Sequence, residues 1–238
     1  SNERMFRLLQ GDVGSGKTIV SLIAAHSIIS NKYQVAYMAP TEILAKQHYK
    51  LFSKVFGNSF YSEILTGKTE YKNKKNILLN LKNKKIDIIF GTHALFQKTI
   101  EFKKLGLIII DEQHKFGVNQ RKKLSEKGGS NCDVLIMSAT PIPRTMMMTL
   151  YGDMDITLIK SKPKNRKEIK TYTKDINKID DVINFLEKEV NNNNQIFWVC
   201  PLIEESKKLD HQSCIVRYEY LKKIFKNKIG LLHGSIDN

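Results

Sequence analysis

Gly11-Asp12-Val13-Gly14-Ser15-Gly16-Lys17-Thr18 decides the fold of this 238-residue chain. It fits the G-x-x-x-x-G-K-[ST] pattern of a phosphate-binding loop without a mismatch. In such a loop, glycines let backbone N–H groups close around phosphate oxygens. The lysine reaches the β- and γ-phosphates, and the Thr hydroxyl ligates Mg²⁺. The stretch therefore predicts binding of ATP and Mg²⁺ by Gly11, Gly14, Ser15, Gly16, Lys17 and Thr18.

The flanks of the loop favour this interpretation over a glycine-rich surface turn. Residues 5–9 form an apolar run typical of a strand, and residues 19–28 have the apolar pattern of a buried helix. The N-terminus of such a helix faces the phosphates, where its dipole and free N–H groups bind anions.

Strands and helices alternate further along the chain, which predicts an α/β fold with a doubly wound parallel sheet. Thr41 is expected to cap the second helix. The run 105–110 is apolar throughout, as expected of a central strand buried on both faces. The other predicted strands are 34–38, 60–65, 86–90 and 134–137, and the predicted helices are 42–55 and 69–81.

Polar residues follow the predicted central strand, where parallel sheets bind their ligands. Asp111 is predicted to hold Mg²⁺, and Glu112 to orient and deprotonate the attacking water. Two acidic residues at a strand end are common by themselves. When they follow a phosphate-binding loop and an apolar strand in the sequence, they are a specific signal for this site. Gln113 and His114 complete this tetrad and are predicted to couple the nucleotide to nucleic acid.

Hydroxyl groups end the next strand. Ser138 and Thr140 are predicted to hydrogen-bond the acidic tetrad and to report the state of the γ-phosphate. Arg144 follows at the start of a helix. It is expected either to contact a nucleic-acid phosphate or to pair with a local carboxylate, and the sequence favours neither.

The net charge of +15 permits a polyanionic partner. Lysine outnumbers arginine 33 to 6, however, and biased codon usage produces such a ratio without nucleic-acid binding. The lysine-rich runs 72–75 and 82–85 are therefore expected to be solvated helix ends.

Cysteine content and hydropathy give a coarse localisation. Cys132, Cys200 and Cys214 share no metal-ligand spacing and are expected to be buried thiols in a reduced, cytoplasmic compartment. The apolar runs are too short to span a bilayer, so no membrane partner is expected.

Five segments in order resemble the superfamily-two DNA helicases of the DExH type: GDVGSGKT, APTEIL, GTHALF, DEQHKFGV and SATPIPRT. This resemblance implies RecA-like P-loop NTPase lobes that use ATP and Mg²⁺. Residues 111–118 and 198–206 are most similar to the members that act on branched DNA and stalled replication forks in recombination and repair. The transcription-repair coupling factors are similar through the first lobe, but they usually carry a second Glu in the tetrad and lack the CPLIEES stretch.

The resemblance also implies contacts to the DNA backbone by a monomeric, nucleoid-associated protein. In the family, such contacts follow successive strands of both lobes. The matching positions are Thr41, Thr66, Gly67, Thr92, His93, Arg144, His233 and Gly234.

Two domains are expected, a complete lobe over 1–160 and an incomplete second RecA-like lobe over 161–238. In the second, strands are predicted at 169–173, 195–200 and 229–232, and helices at 179–190 and 212–225. Because the family takes its arginine finger from later motifs, the chain is expected to be a piece of a longer protein and a poor ATPase alone.

Two other functions remain open at this point. A small-molecule kinase on the same phosphate loop predicts a lid and an acceptor pocket, and no SATP segment. An RNA-dependent relative within the superfamily is consistent with the tetrad and the lysine content, and competition between branched DNA and duplex RNA separates it from a DNA helicase.

Overall fold

The computed structural model describes residues 4–97, 99–112, 132–140, 154–161, 168–200, 214–234 and 236. The chain divides into two compact units, Ser1–Lys167 and Glu168–Asn238.

The first unit contains a seven-stranded parallel sheet in the order β3-β4-β2-β5-β6-β1-β7. Strand β5 lies at its centre and is buried at every residue, as its apolar run predicts. The strands are β1 Phe6–Gly11, β2 Gln34–Met38, β3 Ser62–Leu65, β4 Ile88–Gly91, β5 Leu105–Ile110, β6 Asp133–Ser138 and β7 Asp155–Ile159.

Helices cover both faces of this sheet. Successive residues of a strand point to opposite faces, so each central strand contributes side chains to two separate cores. On one face, Ile108 and Ile110 of β5 share a core with residues of α3 (Tyr71–Lys82). On the other, Leu107 and Ile109 share a core with residues of α1 (Lys17–Ser30) and α2 (Glu42–Phe56). The predicted α/β class with a doubly wound parallel sheet is confirmed.

Strand β7 was not expected from the sequence. It pairs with β1 at the edge of the sheet, so its side chains are only partly buried and its apolar pattern is weak. Arg7 of β1 holds it laterally, donating to Asp155 Oδ2 at 2.8 Å and to Thr157 Oγ1 at 3.2 Å.

The second unit confirms the two helices, α4 (Ile179–Asn191) and α5 (Cys214–Phe225). The three predicted strands of this unit are wrong, since the structure has no strand at 169–173, 195–200 or 229–232 among its described residues. A parallel strand exists only where a neighbour pairs with its backbone. These segments lack such a partner in the described structure, and Phe197 and Leu232 within them are about 90% and 88% exposed.

The prediction that all three cysteines are buried thiols is confirmed for one of them. Cys132 is buried, and that burial raises the pKa of its thiol to about 12. Cys200 and Cys214 are half-buried instead.

The start of α2 shows the predicted cap: Thr41 Oγ1 accepts a hydrogen bond from the Leu44 backbone N–H at 3.3 Å. Thr41→Ala is expected to lower the free energy of unfolding by about 0.5–2 kcal/mol, because it leaves a donor of the first turn unpaired. Thr41→Ser keeps the oxygen and is the matched control. Urea denaturation of both variants checks this, and equal losses would show that the cap is not the stabilising contact.

Candidate nucleotide and nucleic-acid site

The phosphate-binding loop connects β1 to α1 through left-handed backbone. Gly14 has a φ of 78° and Gly16, the residue before α1, a φ of 95°, both in the region that side chains rarely adopt. The Ser15 N–H donates to Asp12 O at 3.1 Å and closes the turn. A Cβ at Gly11 would lie 2.6 Å from Ser15 Oγ and 3.0 Å from Ile159 Cβ, so a larger residue there would force the Ser15 hydroxyl to move.

Two side chains point to an anion as the occupant of this loop. The Lys17 ammonium donates to Gly11 O at 2.6 Å and to Asp12 O at 2.9 Å, which holds a positive charge against the loop. The Ser15 hydroxyl oxygen is buried and has no hydrogen-bond partner in the described structure. A buried orphan hydroxyl beside an ammonium and a helix N-terminus fits a phosphate group.

The acidic pair follows β5 at the same edge of the sheet as the phosphate-binding loop. The Asp111 N–H donates to Met38 O at 2.9 Å, which continues the ladder with β2 beyond the last strand residue. Glu112 then turns the chain with a left-handed φ of 47°, a conformation of the kind found at functional sites. Carboxylate oxygen is a ligand that Mg²⁺ prefers, and Mg²⁺ needs only one or two such groups in addition to phosphates.

A buried polar chain joins the loop helix to Asp111, and the sequence did not reveal it. Ser21 Oγ donates to Thr18 O at 2.8 Å and lies 3.2 Å from the Tyr37 hydroxyl. That hydroxyl lies 3.5 Å from His48 Nδ1, and His48 Nε2 lies 2.8 Å from Asp111 Oδ2. The available signal was a histidine in the apolar stripe of α2, between the buried Ala45 and Phe52.

Burial keeps the Tyr37 hydroxyl, the middle group of these hydrogen-bonded side chains, neutral. Removal from water, and secondarily the Asp111 charge, raise the pKa of its hydroxyl far above the ordinary 10.0. Tyr37 therefore stays protonated in the folded protein and remains available as a hydrogen-bond donor.

The raised Tyr37 pKa predicts a loss of stability in alkali. Below pH 10 the hydroxyl is protonated in both states, and above it only the unfolded chain loses the proton. The free energy of unfolding is therefore expected to fall by about 1.4 kcal/mol per pH unit above 10 from this group. Urea denaturation from pH 8 to 11 should show a shallower decline in Tyr37→Phe than in the unchanged protein, and parallel declines would contradict the assignment.

The hydroxyls of the last β6 residue, Ser138, and of Thr140 bond to each other, at 2.9 Å between Ser138 Oγ and Thr140 Oγ1. Gln10, the residue before the phosphate-binding loop, donates to Thr140 O at 2.9 Å. The described contacts thus connect this segment to the base of the loop. The other coupling candidates, Gln113 and His114, and the DNA candidate Arg144 lie outside the described residues.

The remaining candidates of the first unit follow β2, β4 and β3, which are neighbours in the sheet. Thr41 is exposed at the start of α2. Gly67 follows β3, and a Cβ at Gly67 would lie 3.8 Å from Glu42 Oε1 of α2. Thr92 precedes a short 3-10 helix, His93–Phe96. The structure thus brings together, along one edge, Thr41, Thr66, Gly67, Thr92 and His93.

His233 and Gly234 belong to the second unit, where the His233 carbonyl accepts from the Ile236 N–H at 3.2 Å. They form a turn that is exposed at Gly234.

Three comparisons with known proteins agree with this geometry. The family model described as DEAD/DEAH box helicase matches residues 2–149. The chain is 49% identical over 236 residues to the ATP-dependent DNA helicase RecG of Bacillus subtilis, covering 98% of this chain and 34% of that protein. The RecG of Thermotoga maritima is 46% identical, with coverage of 99% and 30%.

A solved structure of RecG bound to a three-way DNA junction matches with a TM-score of 0.75 and 41% identity, over 94% of this chain and 29% of that one. The chain thus spans about a third of the length of the relatives it matches. With the parallel sheet, these matches confirm the predicted RecA-like P-loop fold. No helix among the described residues is long and apolar enough to cross a membrane.

Proposed function

The chain belongs to the DEAD/DEAH box helicase family, and we propose on that premise that it supplies the ATP-driven motor of a RecG-type DNA helicase. The observation that carries the proposal is the juxtaposition at one sheet edge of the phosphate-binding loop, the acidic pair and the threonine-bearing loops. The identity of 46–49% to RecG proteins extends over the chain and supports the type.

In this function the first unit holds Mg²⁺·ATP. Lys17 and the loop N–H groups bind the phosphates, and Thr18 and Asp111 supply oxygen ligands to Mg²⁺. When bound, Mg²⁺ neutralises charge that develops on the transferred phosphoryl group. Glu112 orients the attacking water and accepts its proton.

The DNA partner is a branched or forked duplex held through its backbone. Thr41 and Thr92 offer hydroxyls to phosphates along the edge formed after β2, β3 and β4. Thr66 is 8% exposed and its N–H donates to Thr69 Oγ1, so it contributes through its hydroxyl alone. The N-terminus of α2 adds a partial positive charge behind Thr41. Such contacts are independent of base sequence, and the net charge of +15 strengthens them at low salt.

We further propose that the protein acts in DNA recombination and repair, as a monomer in the cytoplasm at the nucleoid. The likeness to RecG proteins supports this proposal.

Steady-state ATP turnover by the gene product tests the proposed function. Forked DNA is expected to stimulate turnover more than linear duplex DNA or duplex RNA, and the stimulation is expected to decline as salt rises. Equal stimulation by duplex RNA would favour the RNA-dependent relative, and no stimulation by any nucleic acid would refute the motor. The small-molecule kinase is incompatible with the helicase family match.

A coupling-factor-like translocase is the second candidate, favoured only by the shared first lobe. It predicts translocation along linear duplex DNA without a preference for forks. A triplex-displacement assay on linear DNA, run beside a fork-reversal assay, separates the two activities.

A further inference from the structure

The buried chain of polar side chains between the phosphate-binding loop and Asp111 passes through three different elements. Ser21 belongs to α1, Tyr37 to β2 and His48 to α2, and each is at most 7% exposed. The rest of this region is an apolar core. Polar groups are retained in such a core when their hydrogen bonds fix a geometry that apolar packing leaves loose.

The contact between His48 and Asp111 has a defined direction. As a carboxylate, Asp111 can only accept, so the proton of the 2.8 Å bond resides on His48 Nε2. The imidazole also packs against the Tyr37 ring in a tilted arrangement, with the two ring centroids 4.7 Å apart. The contact engages one of the two carboxylate oxygens, Oδ2.

The position of His48 on α2 adds a second consequence. Thr41, a candidate DNA contact, begins this helix, and His48 follows it by about two turns on the same rigid element. A shift of the start of α2 therefore moves the donor that holds Asp111.

We propose that His48 is a positioning residue that orients the Asp111 carboxylate for Mg²⁺ and ties that orientation to the placement of α2 on DNA. The proposal rests on the proposed function, because it takes Asp111 as the Mg²⁺ ligand. Hydrogen-bonded partners of metal-ligating carboxylates act in this way, and their loss costs about 10–100-fold in metal affinity or activity.

The test measures affinity for a fluorescent ADP with Mg²⁺ and with EDTA. His48→Leu removes the donor and is expected to lose about 10–100-fold of the Mg²⁺-dependent affinity while leaving affinity in EDTA unchanged. His48→Gln keeps an N–H donor and is expected to restore most of the loss. The control is His26→Leu, since the exposed His26 stacks on Phe56 in the α1–α2 aromatic cluster and the contacts given for it are with aromatic rings.

Every outcome of these affinity measurements either supports or overturns the proposal for His48. Unchanged Mg²⁺ dependence in His48→Leu, or equal impairment in His48→Gln, would mean that His48 only fills the core and would overturn the proposal. If the unchanged protein binds ADP without any Mg²⁺ dependence, the assignment of Asp111 as the Mg²⁺ ligand fails and the proposal for His48 fails with it, whereas the proposed function is refuted only by the absence of stimulation by nucleic acid. If His48→Leu does not fold, His48→Phe keeps a ring against Tyr37 without a donor and enters the same comparison.

The proposed coupling between His48 and DNA binding through α2 is tested separately, by the stimulation of ATP turnover of the gene product. His48→Leu is expected to lower the stimulation of ATP turnover by forked DNA by about two- to thirtyfold, with unchanged half-saturation by DNA. A rise in the half-saturating DNA concentration at unchanged maximal stimulation would overturn this link.

Discussion

Glu112→Gln is expected to lower ATP turnover by about 10²–10⁴-fold while leaving Mg²⁺·ATP affinity unchanged. An amide can hold a water molecule by a hydrogen bond, but it cannot accept the proton of that water during attack on the γ-phosphate. The substitution keeps the shape of the side chain, and Gln tolerates the left-handed φ of 47° about as well as Glu does. Turnover and nucleotide affinity of the gene product, measured under the same conditions, check the prediction.

Asp111→Asn is the companion variant, because it changes the neighbouring carboxylate in the same way. It is expected to weaken the Mg²⁺-dependent part of nucleotide binding, since a neutral amide is a poorer ligand for a hard cation. Equal losses of Mg²⁺·ATP affinity in both variants would contradict the division of roles between proton acceptor and metal ligand.

Lys17→Ala is expected to weaken nucleotide binding by about ten- to 150-fold, because a hydrogen bond to a charged group contributes about 1.5–3 kcal/mol. In the structure the ammonium is held by the carbonyl groups of Gly11 and Asp12, at the inner side of the loop. The charge is thus already placed before a phosphate arrives, and its removal takes away binding energy that requires little rearrangement. Titration calorimetry with Mg²⁺·ADP measures the loss.

Lys50→Ala is the control for charge alone, because Lys50 is exposed on α2 and its substitution lowers the net charge equally. It should bind Mg²⁺·ADP as the unchanged protein does. Thermal unfolding of both variants shows whether the Gly11 and Asp12 carbonyls, freed in Lys17→Ala, destabilise the loop. Unchanged affinity in Lys17→Ala, or a loss in Lys50→Ala as large as in Lys17→Ala, would refute the phosphate assignment.

Local features of the chain could be predicted from the residues alone. The phosphate-binding loop depends on glycines and a lysine within eight positions. The cap depends on Thr41 and on α2, which begins at the next residue. The run 105–110 is apolar at both strand faces, so its central place in a parallel sheet follows from its composition. These features depend on interactions between near neighbours or on the burial of a whole segment, which periodicity reports directly.

The rest was decided by contacts between residues far apart in the chain. His48 and Asp111 are 63 positions apart, and they meet because β2 and β5 pair and because α2, which packs mainly on β3 and β4, places His48 against Tyr37 of β2. Edge strand β7 exists because its backbone pairs with that of β1, and in the described second unit apolar runs without a neighbour form no strand. A ladder or a buried hydrogen bond needs both partners in register, and only the tertiary structure decides which partners meet.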